Sequence, residues 1–175
     1  KPANLMLQGR TVFVMDFGLA KSTDVQASLS ASGSVVGTPA YMSPEQARGG
    51  DADARSDVYS LGATLHELLG GVAPFRGNDV FTILKAVFEK EAEPVLGAPR
   101  DINTIALKGL DKDPSRRYAT ATDLAEDLHR FIDGEPIDAR PISTAALVWR
   151  RSVKHRGIVL PSLVAAILAT VFAGW

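Results

Sequence analysis

The chain has 175 residues, 46% hydrophobic and 22% charged, which allows one globular domain or one domain with an appendage. It contains no cysteine, so disulfides and thiolate metal sites are excluded, and its three histidines (His66, His129, His155) lack zinc-ligand spacing. Net charge is −1 but uneven: from Ile137 onward five basic residues (Arg140, Arg150, Arg151, Lys154, Arg156) face only Asp138, a local +4 that leaves −5 on residues 1–136. A mildly acidic body with a short basic tail argues against nucleic-acid binding.

Two short apolar runs, Leu5-Met6-Leu7 and Thr11-Val12-Phe13-Val14-Met15, flank Gln8-Gly9-Arg10 and predict a β-hairpin. The stretch from Lys21 to Ser34, rich in Ser, Ala and Gly and without periodicity, reads as a loop. Pro44 after Ser43 favours the first turn of a short helix. Ser56 to Leu69 carries Val58, Leu61, Leu65, Leu68 and Leu69 at helical spacing, with Ser56 as expected N-cap and Gly70-Gly71 as stop; its wide apolar surface predicts a central buried helix. A helix capped by Asn78 runs to about Glu89, with Val80, Ile83, Leu84, Val87 and Phe88 on one face. Another, capped by Asp101, carries Ile102, Ile105, Ala106 and Leu110 and ends at Asp111-Lys112-Asp113-Pro114. The next, capped by Thr122 or Asp123, carries Leu124, Leu128, Phe131 and Ile132 and stops at Gly134. Ile137 to Lys154, with two prolines and scattered charge, reads as a linker.

Gly157 to Trp175 is a nineteen-residue run without a charge. As a helix it would extend about 28 Å, against a hydrocarbon core of roughly 30 Å. Pro161 falls in its first turns, Trp149 and Trp175 are placed for the two interfaces, and the Arg150–Arg156 cluster sets the orientation. A transmembrane helix over 157–175 is therefore expected, preceded by a basic linker over 136–156. A buried core helix is the competing structural reading.

The polar motifs lie near the start. Lys1-Pro2-Ala3-Asn4 is followed twelve residues later by Asp16-Phe17-Gly18, and then by Gly37-Thr38-Pro39-Ala40-Tyr41-Met42-Ser43-Pro44-Glu45. Order and spacing resemble the C-terminal lobe of a protein kinase, of the eukaryotic-like serine/threonine type found in bacteria, over residues 1–135. The resemblance implies a mainly α fold, an α+β kinase-like C-lobe: short β-hairpin, activation loop, about five helices, then the C-terminal transmembrane helix.

Phosphoryl transfer demands positioning and charge neutralisation more than covalent chemistry. The resemblance implies ATP and Mg2+ as cofactors, with Asp16 and Asn4 as oxygen ligands of the metal and Lys1 placed on the transferring phosphate. Phe17 would set the pose of Asp16, and Gly18 would allow the turn behind it. Thr38 would bond the catalytic aspartate and Lys1, a pairing that favours Ser/Thr acceptors on protein substrates. Ser43-Pro44-Glu45 departs from the usual Ala-Pro-Glu at its first residue. Glu45 is expected to pair with Arg117, although the adjacent Arg116 competes. Asp57 is expected to accept hydrogen bonds from the catalytic-loop backbone, and a plain helix-dipole role is compatible.

Ser22, Thr23, Ser28, Ser30, Ser32, Ser34 and Thr38 are candidate phosphorylation sites, since phosphate there would bring charge able to recruit an arginine. The kinase catalytic loop has an Asp two positions before the residue matched by Lys1, so the chain opens inside a motif and is expected not to transfer phosphate alone. The parent is expected to be a single-pass membrane kinase with a cytoplasmic lobe. The alternative is a membrane-anchored pseudokinase or scaffold, and a small-molecule phosphotransferase of related fold ranks last.

Overall fold

The computed structural model describes residues 1–15 and 39–139. The expectations that fall on Asp16, Phe17, Gly18, Ser22, Thr23, Ser28, Ser30, Ser32, Ser34, Thr38 and the span 157–175 lie outside the described residues. The chain divides into two units, Lys1–Arg140 and Pro141–Trp175, and only the first contains described residues. Among them, no helix is long and apolar enough to cross a membrane.

The expected hairpin forms between β1 (Leu5–Gln8) and β2 (Thr11–Val14), antiparallel, in the register Leu5–Val14 through Gln8–Thr11. Gly9 supplies the left-handed residue of the turn at φ +62°, a conformation that costs glycine nothing. A 3-10 turn over Pro2–Asn4 enters the hairpin.

Five α-helices follow among the described residues: α1 (Pro44–Ala47), α2 (Ala54–Gly70), α3 (Val80–Glu89), α4 (Arg100–Gly109) and α5 (Ala121–Asp133). The central helix is α2, against which α4, α5 and the 3-10 turns Pro2–Asn4 and Pro39–Tyr41 all pack. It separates two apolar clusters. One joins Ala40, Tyr59, Ala63, Phe75, Ile83, Val87 and Leu110; the other joins Val58, Ile105, Tyr118, Leu124 and Ala139.

The buried face of α2 differs from the leucine stripe the spacing suggests. Leu61 is 41% and Leu68 63% exposed, whereas Val58, Tyr59, Gly62 and Ala63 are buried. The cause is a close crossing with α4: a Cβ on Gly62 would stand 3.0–3.1 Å from the backbone of Gly109 and Ala106, so two glycines let the helices touch backbone to backbone. Ile132 is likewise exposed on α5.

Four caps also fall on other residues than the sequence suggests. Asp53, not Ser56, caps α2 through Arg55 N–H, and Asp79, not Asn78, caps α3 through Thr82 N–H at 2.8 Å. Pro99 precedes α4 without a side-chain cap, which leaves Asp101 in the first turn. Thr120 caps α5, and Asp123 is its reciprocal partner in a capping box. The stops at Gly71 and Gly134 are as expected, both left-handed. Past Gly134 the chain does not leave at once: Ile137 packs on the second cluster and Ala139 is buried.

Candidate functional site

Three segments position the expected site residues. The first is the Pro2–Asn4 turn. Asn4 N–H donates to the Lys1 carbonyl at 2.9 Å, and Met15 N–H donates to the Asn4 carbonyl at 2.8 Å. Asn4 therefore sits at the open end of the hairpin, opposite the strand that leads toward Asp16. Among the described residues its side-chain amide makes no hydrogen bond. Lys1 is exposed beside it. Asp16 and Thr38, the other two members of the expected catalytic set, lie outside the described residues.

The second segment runs from Pro39 to Glu45. Pro39 and Ala40 are buried, and Tyr41 is fixed at both ends. Its carbonyl accepts from Ser60 Oγ at 2.8 Å, and its hydroxyl donates a short hydrogen bond to Glu67. Burial, joined by that bond to a carboxylate, pushes the Tyr41 phenol well above its ordinary value. Ser43, where the resemblance leads one to expect Ala, has a physical role. It is the fully buried N-cap of α1, its Oγ accepting from Gln46 N–H at 3.3 Å while its own N–H donates to Gln46 Oε1 at 3.1 Å.

The third is the Glu45–Arg117 pair, formed as expected. Arg117 Nη1 and Nη2 donate to Glu45 Oε1 and Oε2 at 2.7 and 2.9 Å, a bidentate fork. The Arg117 side chain is fully buried and that of Glu45 is 18% exposed. The rest of the guanidinium is satisfied by the Asp111 carbonyl at 2.8 Å and the Arg55 carbonyl at 2.9 Å, and its face lies over the Tyr59 ring. Ser56 Oγ donates to Glu45 Oε1 at 2.6 Å. Burial works against the Glu45 carboxylate, but the bonds from Arg117 and Ser56 outweigh it and hold its pKa at about 2. Arg116 instead makes an exposed pair with Asp113 at 3.6 Å.

Asp57 is exposed in the first turn of α2 and makes no hydrogen bond to the Lys1–Asn4 backbone among the described residues. Its place in the first helical turn is also favoured by the helix dipole.

Ser56, Ser60 and Glu67 were missed as site residues. Ser60 and Glu67 are seven apart and share one face of α2, so a polar pair on a helix read as buried was the available signal. The Ser56 hydroxyl, read as a cap, serves Glu45 instead. The resulting arrangement is a stiff peptide segment, Pro39–Glu45, and an oxygen-bearing turn, Pro2–Asn4, both seated on α2.

A sequence model of the protein kinase domain matches residues 1–130. The chain is 41% identical over 152 residues to the serine/threonine-protein kinase PknB of Mycobacterium tuberculosis, covering 83% of this chain and 24% of that protein. It is 40% identical over 151 residues to the PknB of Mycobacterium leprae, with the same coverage. It is 41% identical over 140 residues to the probable serine/threonine-protein kinase PknB of Bifidobacterium longum, covering 77% and 20%. The chain thus spans about a quarter or less of the length of these curated relatives.

Proposed function

The chain belongs to the protein kinase domain family, and from that premise we propose that it is the C-terminal lobe of a serine/threonine protein kinase that transfers the γ-phosphoryl group of ATP to Ser/Thr hydroxyls of proteins. The observation that carries this reading is the Pro39–Glu45 segment, locked by Arg117, Ser60 and Glu67. A small-molecule phosphotransferase has no use for such a segment, whereas a protein acceptor needs a stiff edge to lie against.

Magnesium fits the donor set. Asn4 offers an amide oxygen and Asp16 a carboxylate, both hard ligands, and the chain has no thiolate to favour a softer ion. When bound, the ion neutralises charge on the nucleotide phosphates. The chain's own contributions are to hold that ion through Asn4 and Asp16, to place the Lys1 ammonium against the transferring phosphate, and to fix the acceptor through Thr38 and Pro39–Glu45.

The test is Asp16→Ala in the whole protein, assayed with labelled ATP, Mg2+ and a Ser/Thr-containing acceptor. Transfer should fall to background while circular dichroism and melting stay those of the parent. A folded variant that retains transfer would refute the assignment.

The uncharged run 157–175 and the Arg150–Arg156 flank support a membrane anchor with the lobe on the cytoplasmic side. Alkaline carbonate extraction should leave the whole protein in the membrane pellet, and its release to the supernatant would remove the anchor from the proposal.

A further inference from the structure

Asp127, on α5, is a carboxylate only 1% exposed. Such a group is tolerated inside a protein only when its lone pairs are filled. Four donors fill them here. Tyr118 Oη donates to Oδ2 at 2.8 Å, and Arg130 Nη1 reaches Oδ1 at 3.4 Å. The other two are main-chain N–H groups from beyond the end of α5: Asp138 to Oδ1 at 2.6 Å and Ala139 to Oδ2 at 2.8 Å. Arg130 also pairs with Asp138.

The chain therefore turns back at Gly134, in the left-handed conformation, and lays residues 135–139 along the lobe. Ala139 is 1% exposed, and Ile137 packs against the cluster of Val58, Ile105, Tyr118 and Leu124. Burial opposes ionisation of Asp127, but the N–H of Asp138, the Tyr118 hydroxyl and the N–H of Ala139 outweigh it, so the carboxyl titrates below its ordinary value. None of these residues has a part in the proposed transfer chemistry, and the family match ends at residue 130, before the segment begins.

We propose that residues 135–139 are a strap, latched by Asp127, through which events on the chain beyond residue 139 are linked to the packing of the Val58–Ile105–Tyr118–Leu124 core. Peeling the strap strips a buried carboxylate of two donors and uncovers the core beneath Ile137 and Ala139. Tension or binding that pulls on the later chain therefore loosens α2, α4 and α5, and by reciprocity anything that tightens that core holds the strap down. Tyr118 directly follows Arg117, so the latch ends one residue from the anchor of Glu45.

Amide hydrogen exchange on the full 175-residue chain tests this. In Asp127→Asn, the Asp138 and Ala139 amides should exchange about ten-fold faster or more, and the α4 amides around Ile105 should lose protection with them. Wild-type exchange at 138 and 139 would overturn the latch; faster exchange there with α4 unchanged would overturn the linkage. If Asp127→Asn does not fold, the contrast is made at the exposed Asp138. Asp138→Pro deletes one N–H donor and should speed exchange at Ala139 and around Ile105, while Asp138→Ala keeps it and should leave both near wild type. Equal exchange in those two variants would overturn the proposal.

Discussion

Glu45→Gln is the substitution whose cost the structure fixes best. The amide keeps the volume of the carboxylate but removes its charge, and it turns an NH2 group toward one of the two Arg117 nitrogens. Arg117 then remains a fully buried cation held only by carbonyls and the Tyr59 face. Breaking a buried pair in this one-sided way typically costs about 3–5 kcal/mol. A second route gives a similar figure: holding the carboxyl at about 2 instead of its ordinary 4.5 corresponds to about 3 kcal/mol, or about 2–3 once solvent screening of the partly exposed oxygen is allowed for. A lobe of this size has a total stability of about 5–15 kcal/mol, so the melting temperature should fall by about 10 °C. The control is Arg116→Gln, which breaks an exposed pair worth about 0–1 kcal/mol. The pH dependence follows the depressed pKa: the contribution of the pair is whole above pH 4.5 and is lost as pH falls through 2. Glu45→Gln should remove that part of the acid dependence as well as lowering stability at pH 7. Denaturant melts of both variants from pH 7 to pH 3 measure this. A Glu45→Gln loss no larger than that of Arg116→Gln would refute the claim that the bidentate pair anchors the segment.

Tyr41→Phe deletes the hydroxyl given to Glu67 while leaving the Ser60 bond to the Tyr41 carbonyl. It should cost about 1–2 kcal/mol in a denaturant melt, with faster amide exchange confined to residues near 39–42; unchanged exchange there would show the bond does not stiffen the segment. Gly62→Ala sets two effects against each other. Alanine improves helix propensity by about 1 kcal/mol, but its Cβ meets the Gly109 and Ala106 backbone at 3.0–3.1 Å, which typically costs about 1–3 kcal/mol. Backbone cannot yield as a side chain can, so net destabilisation is expected, and a raised melting temperature would mean the α2–α4 crossing is looser than described.

The order of the elements was legible because their signals are local. Gly9 needs a left-handed turn, Gly71 and Gly134 end helices in the same conformation, and Pro44 behind Ser43 starts one. The caps were less legible because several capping residue types crowd each start. What selects among them is where the backbone becomes extended: Asp53, Asp79 and Thr120 all are, whereas Ser56 already lies inside the helix. Residue type alone cannot say which hydroxyl or carboxylate stands at that point.

The buried face of α2 failed for a different reason, and that reason bears on the site. Hydrophobic spacing assumes that large side chains make the contacts. Here the closest contact is made by Gly62 and Gly109, which carry no apolar weight, so the leucine stripe at 61 and 68 pointed to the wrong side. Once α2 is rotated to put Gly62 against α4, Ser60 and Glu67 come under the Pro39–Tyr41 turn and Ser56 comes under Glu45. The polar residues missed as site residues and the leucines wrongly read as buried thus share one cause. A backbone-to-backbone crossing sets the rotation of the central helix, and that rotation decides which of its side chains hold the Pro39–Glu45 segment.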